Sequence, residues 1–160
     1  MKPVVHAVLT VMLALAPAYV RAQSADKTVA VAADDPEMTA AIEQARATLD
    51  DFLALSAAPP PGTDKFKLKV KIVDGDATEH FWVIPFKRTA TGFAGILANE
   101  PELVRNVVFG QYIEFSRDDI SDWGYTRDGH QVGSYTVCVM LKKMSAQDAE
   151  DLRNNYGFDC

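Results

Sequence analysis

The chain has 160 residues, 48% of them hydrophobic, and a formal net charge of −6, so it can bury one core unaided. Such an acidic balance disfavours phosphate backbones and anionic lipid, which argues against nucleic acid as a partner. Its two cysteines, Cys138 and Cys160, are an even count, which bears on compartment once the N-terminus is read.

Residues 1–22 have the form of a cleavable secretory signal. Lys2 supplies the positive start, and Val4 to Ala18 is apolar apart from His6 and Thr10. Val20-Arg21-Ala22 places the cut after Ala22. The apolar run is shorter than the roughly 20 residues a membrane-spanning helix needs. No cysteine follows it to carry a lipid, so no stable membrane anchor is expected after cleavage. Loss of Lys2 and Arg21 takes the net charge from −6 to −8. The expected location is the periplasm, where a Cys138–Cys160 disulfide is the default pairing. Residues 23–33 are small and polar, a flexible leader, and 34–160 form a single domain.

Asp35-Pro36 reads as a helix start, with Asp as cap and Pro in the first turn. Met38, Ile42, Ala45, Leu49, Phe52 and Leu53 continue an apolar stripe at helical spacing, predicting one helix to about Ser56. Pro59-Pro60-Pro61-Gly62 forms a stiff connector. Lys65 to Ile72 alternates lysine with apolar residues, the period of a half-buried strand. Asp74-Gly75 turns into a second strand, His80 to Lys87, apolar on both faces and therefore central. Thr91-Gly92 leads into a strand over Phe93 to Ala98, and Asn99-Glu100-Pro101 breaks the pattern. Glu102 to Val108 reads as a short helix or turn, and Phe109 to Phe115 as a strand. Ser116-Arg117-Asp118-Asp119 has capping-box form, predicting a helical turn through Trp123. Tyr125 to Arg127, the Asp128-Gly129 turn and Gln131 to Leu141 read as a last hairpin. Ser145 opens a closing helix to about Tyr156, with Gly157 as its cap. The expected fold is α+β, with an antiparallel sheet of five or six strands packed with an N-terminal and a C-terminal helix.

Four blocks carry a family likeness: Glu79-His80-Phe81-Trp82-Val83, Leu97-Ala98-Asn99-Glu100-Pro101, Asp118-Asp119-Ile120-Ser121-Asp122-Trp123 and Gly133-Ser134-Tyr135-Thr136. Through them the stretch from about Asp35 to Lys143 resembles the YegJ-like family of bacterial domains of unknown function (family 2314). The resemblance implies an α+β domain, often in exported proteins, and brings no catalytic residue with it.

Two surface features stand out as candidate binding sites. Lys65, Lys67, Lys69 and Lys71 fall on one strand face, a positive stripe able to dock an acidic partner, or else a lysine-guarded solvated face. Asp118, Asp119 and Asp122 cluster with Trp123 and Tyr125, the residue types of a sugar-binding or glycoside-cleaving site. Acids in a first helical turn are also expected from the helix dipole alone. His80 and His130 lie in separate hairpins with no ligand at metal spacing, so no metal site and no cofactor are expected. No Gly-x-Ser-x-Gly elbow or activated cysteine appears, so no catalytic residue is named.

The leading expectation is a non-enzymatic, exported binding or accessory module whose partner is another envelope protein, with immunity-type inhibition of a toxin as one form. The alternative is an envelope glycan-binding or hydrolytic enzyme using Asp119, Asp122 and Glu79. A third reading is a purely structural envelope component.

Overall fold

The computed structural model describes residues 34–160; the expected signal sequence and leader lie outside the described residues. Helices α1 (Pro36–Ala47) and α2 (Leu49–Ala57) precede strands β1 (Thr63–Asp74), β2 (Ala77–Arg88), β3 (Phe93–Leu97) and β4 (Tyr112–Phe115). A 3-10 turn (Arg117–Asp119) leads to β5 (Ile120–Arg127), β6 (His130–Gly133), α3 (Tyr135–Lys143) and α4 (Ala146–Tyr156). The six strands form one antiparallel sheet in the order β4-β3-β2-β1-β5-β6. The fold is therefore α+β as expected, and β2 lies inside the sheet.

Asp35 caps α1: its Oδ1 accepts from the backbone N–H of Glu37 and of Met38, both at 3.0 Å. The single helix expected from the apolar stripe is broken at Thr48, whose backbone sits at φ −106°, ψ 6°. Thr48 Oγ1 donates to the Gln44 carbonyl at 2.9 Å, and Trp123 Nε1 donates to the Ala45 carbonyl at 2.9 Å. The indole thus takes the acceptor that the next turn would use. Periodicity cannot register this break, because the apolar face continues across it.

Cross-strand register separates two faces of the sheet. Leu68 lies opposite Val83 and Trp123, and Val70 lies opposite Phe81, all turned toward α1 and α2. They pack with Ala45, Leu49, Phe52 and Leu53 in the main core, where the Phe52 and Trp123 rings stack at 4.9 Å. On the other face Lys69 lies opposite Trp82 and Asp122. Trp82 packs there against a smaller cluster of Val137, Leu141, Ala149 and Phe158 from α3, α4 and the tail.

Three expected elements are corrected. β4 begins at Tyr112 rather than Phe109. The helical turn stops at Asp119, with the Ser116–Asp119 capping box formed (Asp119 Oδ2 accepts from Ser116 N–H at 2.9 Å and also from the Ser116 hydroxyl at 2.7 Å), and Trp123 lies inside β5. The strand expected to reach Leu141 ends at Gly133; Ser134, at φ 55°, ψ 39°, opens α3 instead. Val137 and Val139 mimic strand alternation, yet both fall on a helix whose first amides are held by Asp122. Cys138 therefore sits on a helix, and its disulfide to Cys160 spans 22 residues with Cα atoms 5.5 Å apart. In the chain-entropy model a loop of that length contributes about 3 kcal/mol.

The reversal at Gly133 admits no side chain. Its φ is 76°, and a Cβ there would lie 2.5 Å from the Trp123 ring. We expect Gly133→Ala to lower unfolding stability by about 2 kcal/mol or more, from backbone strain plus overpacking. A fall in the urea midpoint at unchanged slope checks this.

Candidate functional site

The lysine stripe does not survive as an open surface. Lys65 leaves the alternation: its φ is 53°, and the β1–β5 register shifts between Asp64 and Lys67. Lys67 is half-buried, with Nζ 3.1 Å from Gln131 Oε1 and 4.5 Å from the centre of the Trp82 ring. Lys69 is only 9% exposed and donates to Thr136 Oγ1 at 3.1 Å. Lys65 and Lys71, at the two ends, remain exposed. The four side chains thus split between interior and surface. Burial pushes Lys67 down to about 8, with Lys69 and Lys65 adding to the fall and Asp122 opposing it.

The acidic cluster is dispersed in the same way. Asp122 is 0% exposed. Its Oδ1 accepts from the backbone N–H of Trp123 at 2.8 Å and of Tyr135 at 3.3 Å. Its Oδ2 accepts from Thr136 N–H at 2.8 Å and from the Thr136 hydroxyl at 2.6 Å. The carboxylate so serves as a remote cap for α3, supplying what the Ser134 side chain does not. Burial pushes its carboxyl up, against the Thr136 hydroxyl, Lys69 and the two amides of Thr136 and Trp123. Trp123 faces the opposite side of the sheet, as strand alternation requires. Tyr125 is buried beside it, stacked on Phe66 at 5.0 Å. Asp119 closes its own capping box, and Asp118 is exposed on the 3-10 turn.

Glu79 is also committed to backbone. Its carboxylate accepts from the N–H groups of Glu102, Leu103 and Val104 at 2.9–3.2 Å. The three carboxylates considered for hydrolysis therefore lie in three separate bonding arrangements and do not converge. His80 Nδ1 lies 2.7 Å from Ser121 Oγ, and His130 Nδ1 lies 2.6 Å from Asp159 Oδ2. Partial burial of the His80 ring, then the charges of Lys69, Lys71 and Arg46, push it down to about 4, although the residue keeps a solvent-exposed edge. Among the described residues, no three His, Cys, Asp or Glu side chains gather in a way that could hold a metal ion.

One surface was missed by the sequence reasoning. Leu103 (62% exposed), Val108 (63%), Phe109 (56%) and Tyr112 (50%) display large apolar side chains within ten residues. The segment that carries them is fixed. Glu79 holds its first amides, Asp74 Oδ2 accepts from Arg105 N–H at 2.7 Å, and Asn106 Nδ2 donates to the Val73 carbonyl at 2.9 Å. Val104 and Val107 anchor it in the core. It runs directly into β4, a four-residue edge strand paired only with β3. The available signal was a Leu, three Val and a Phe between Pro101 and Gly110 with no period that could turn all of them inward.

A family model described as "Uncharacterized protein conserved in bacteria (DUF2314)" matches residues 35–160. The chain belongs to this family. It is 35% identical over 120 residues to "Uncharacterized protein YegJ" of Escherichia coli (strain K12), covering 75% of this chain and 77% of that one. It is 30% identical over 86 residues to a "Putative ankyrin repeat protein" of Neisseria meningitidis serogroup B, covering 54% of this chain and 34% of that one. No solved structure matches. The family blocks of the sequence coincide with the framework: Glu79 holds the apolar segment, Asn99 Oδ1 accepts from Trp82 N–H at 2.8 Å, and Asp122 joins Thr136.

Two outcomes follow from the buried polar row. Asp122→Asn would aim an amide N–H at donors, and we expect it to cost about 2–4 kcal/mol of stability, read from urea unfolding at pH 7. For Lys67, the folded protein binds its proton more weakly than the unfolded chain between pH about 8 and the ordinary 10.5. The wild type should therefore gain stability as pH rises through that window. Lys67→Met keeps the stem on Trp82 and should lack that gain, with the difference between the two proteins read by denaturation at pH 7, 9 and 10.5.

Proposed function

We propose that this protein is an exported, non-enzymatic binding module of the periplasm, which holds another envelope protein through the apolar surface of Leu103, Val108, Phe109 and Tyr112. That surface is the observation carrying the proposal. Large apolar side chains exposed along one ten-residue, pre-formed segment require little ordering of the backbone on docking, and exposed apolar surface of this kind marks interaction sites. The neighbouring edge of β4 offers free backbone groups to the same partner.

Export is supported by the N-terminal pattern and by the Cys138–Cys160 disulfide, a bond that persists in oxidising compartments. Glu79, Asp119 and Asp122 each accept hydrogen bonds from backbone amides, which favours binding over the hydrolytic alternative that used them. Inhibition of an envelope-directed toxin is the form of binding that suits a small acidic module.

The test is site-specific photocrosslinking in periplasm, with the reactive residue at position 109 and, as control, at position 150 on α4. One discrete adduct from position 109 and none from 150 is expected. Val108→Ser with Leu103→Ser should remove that adduct without lowering the melting temperature. Equal labelling from both positions, or none from 109, would contradict the proposed surface.

A further inference from the structure

A second site opens where β1 and β2 part. Their pairing runs from Asp74↔Ala77 back to Leu68↔Val83 and stops, although β1 begins at Thr63 and β2 continues to Arg88. Both strands are irregular there. The β1–β5 register shifts between Asp64 and Lys67, and the β2–β3 register shifts between Val83 and Phe86. The C-terminal end of α2 closes the gap from above, leaving a cavity of about 540 Å³. That volume falls within the roughly 300–1,000 Å³ of small-molecule sites.

The lining divides by chemistry. Leu53, Phe66 and Phe86 give it an apolar interior, and Lys65, Lys87 and Arg88 give it basic groups at the surface. No carboxylate lines it. The ion pairs of Arg117, His130, Lys142 and Lys143 lie elsewhere. Arg88 instead rests its guanidinium 5.6 Å from the Phe93 ring, and Lys87 its ammonium 5.8 Å from the Tyr112 ring. Lys87 thus turns toward Tyr112, on the sheet face it shares with Glu114, and leaves Lys65 and Arg88 as the basic pair of the groove, with no carboxylate in its lining. An anion set between these two is attracted by both, on a chain whose net charge is −6.

We propose that this groove binds a small amphiphile, with an anionic head (carboxylate or phosphate) held by Lys65 and Arg88 and an apolar tail lodged on Leu53, Phe66 and Phe86. The site adjoins the Phe109 surface at Lys87 and Tyr112 but shares none of its four apolar residues, so it stands or falls independently of the protein-binding role. Its bounded volume and aromatic interior favour a single small molecule over an acidic peptide, which would need an extended track.

The test uses the mature chain and two-dimensional amide NMR, titrating decanoate, decyl phosphate and decyltrimethylammonium below their micelle concentrations. Both anions should saturate with shifts centred on Phe66, Phe86 and Arg88, and the tighter of the two identifies the head group. Decyltrimethylammonium should bind at least tenfold more weakly. Lys65→Gln with Arg88→Gln, both exposed positions, should weaken anion binding at least tenfold while the melting temperature stays unchanged. Equal binding of the cationic amphiphile, or shifts centred on the 103–112 surface, would overturn the proposal. So would saturation of the groove by an acidic, leucine-containing hexapeptide that decanoate does not displace.

Discussion

Asp122 places a carboxylate where no water reaches, and much of the fold follows from how that group is satisfied. An isolated buried charge costs several kcal/mol, so it persists only with donors on both oxygens. β5 supplies one donor, the Trp123 amide, and the start of α3 supplies three more from Tyr135 and Thr136. The chain between must therefore leave the sheet within a few residues. Gly133 and Ser134 make that exit at positive φ, and α3 begins with its amides already held. Lys69 completes the arrangement from β1 through the Thr136 hydroxyl.

The next residue ties this polar joint to the main core. Trp123 points to the other face of the sheet, stacks on Phe52 and donates to the carbonyl at the break between α1 and α2. Adjacent residues of one strand thus secure the helices on both faces. Asp122, Lys69 and Glu79 are thus taken up in holding the framework. What the framework holds outward is the apolar 103–112 segment at one edge and, where β1 and β2 part, a groove with basic groups at its mouth.

Local patterns in the sequence were legible wherever one element determined its own structure. The Asp35-Pro36 start, the Asp74-Gly75 and Asp128-Gly129 hairpins, the Ser116–Asp119 box and the Ser145 and Gly157 caps each depend on contacts within a few residues. What was not legible depends on partners far along the chain. The break at Thr48 needs Trp123, 75 residues away, and the turn of residues 135–141 into helix needs Asp122. The same limit applies to the candidate site. Lysine–apolar alternation identified β1, but burial of Lys69 depends on α3 covering that face. Proximity in sequence placed Asp122 beside Trp123, while strand geometry sends them to opposite faces. At Phe109 an apolar residue predicts a strand turned inward, and here the anchored segment turns it out.

Native-state amide hydrogen exchange tests most directly the claim that the polar residues are framework rather than an active site. The first amides of a helix ordinarily have no partner and exchange fast. If Asp122 caps α3 as described, the amides of Trp123 and Thr136 should exchange about as slowly as those of Leu68 and Val70 in the centre of the sheet. Fast exchange at Thr136, with slow exchange retained at Leu68, would show a carboxylate free of the helix and contradict the account.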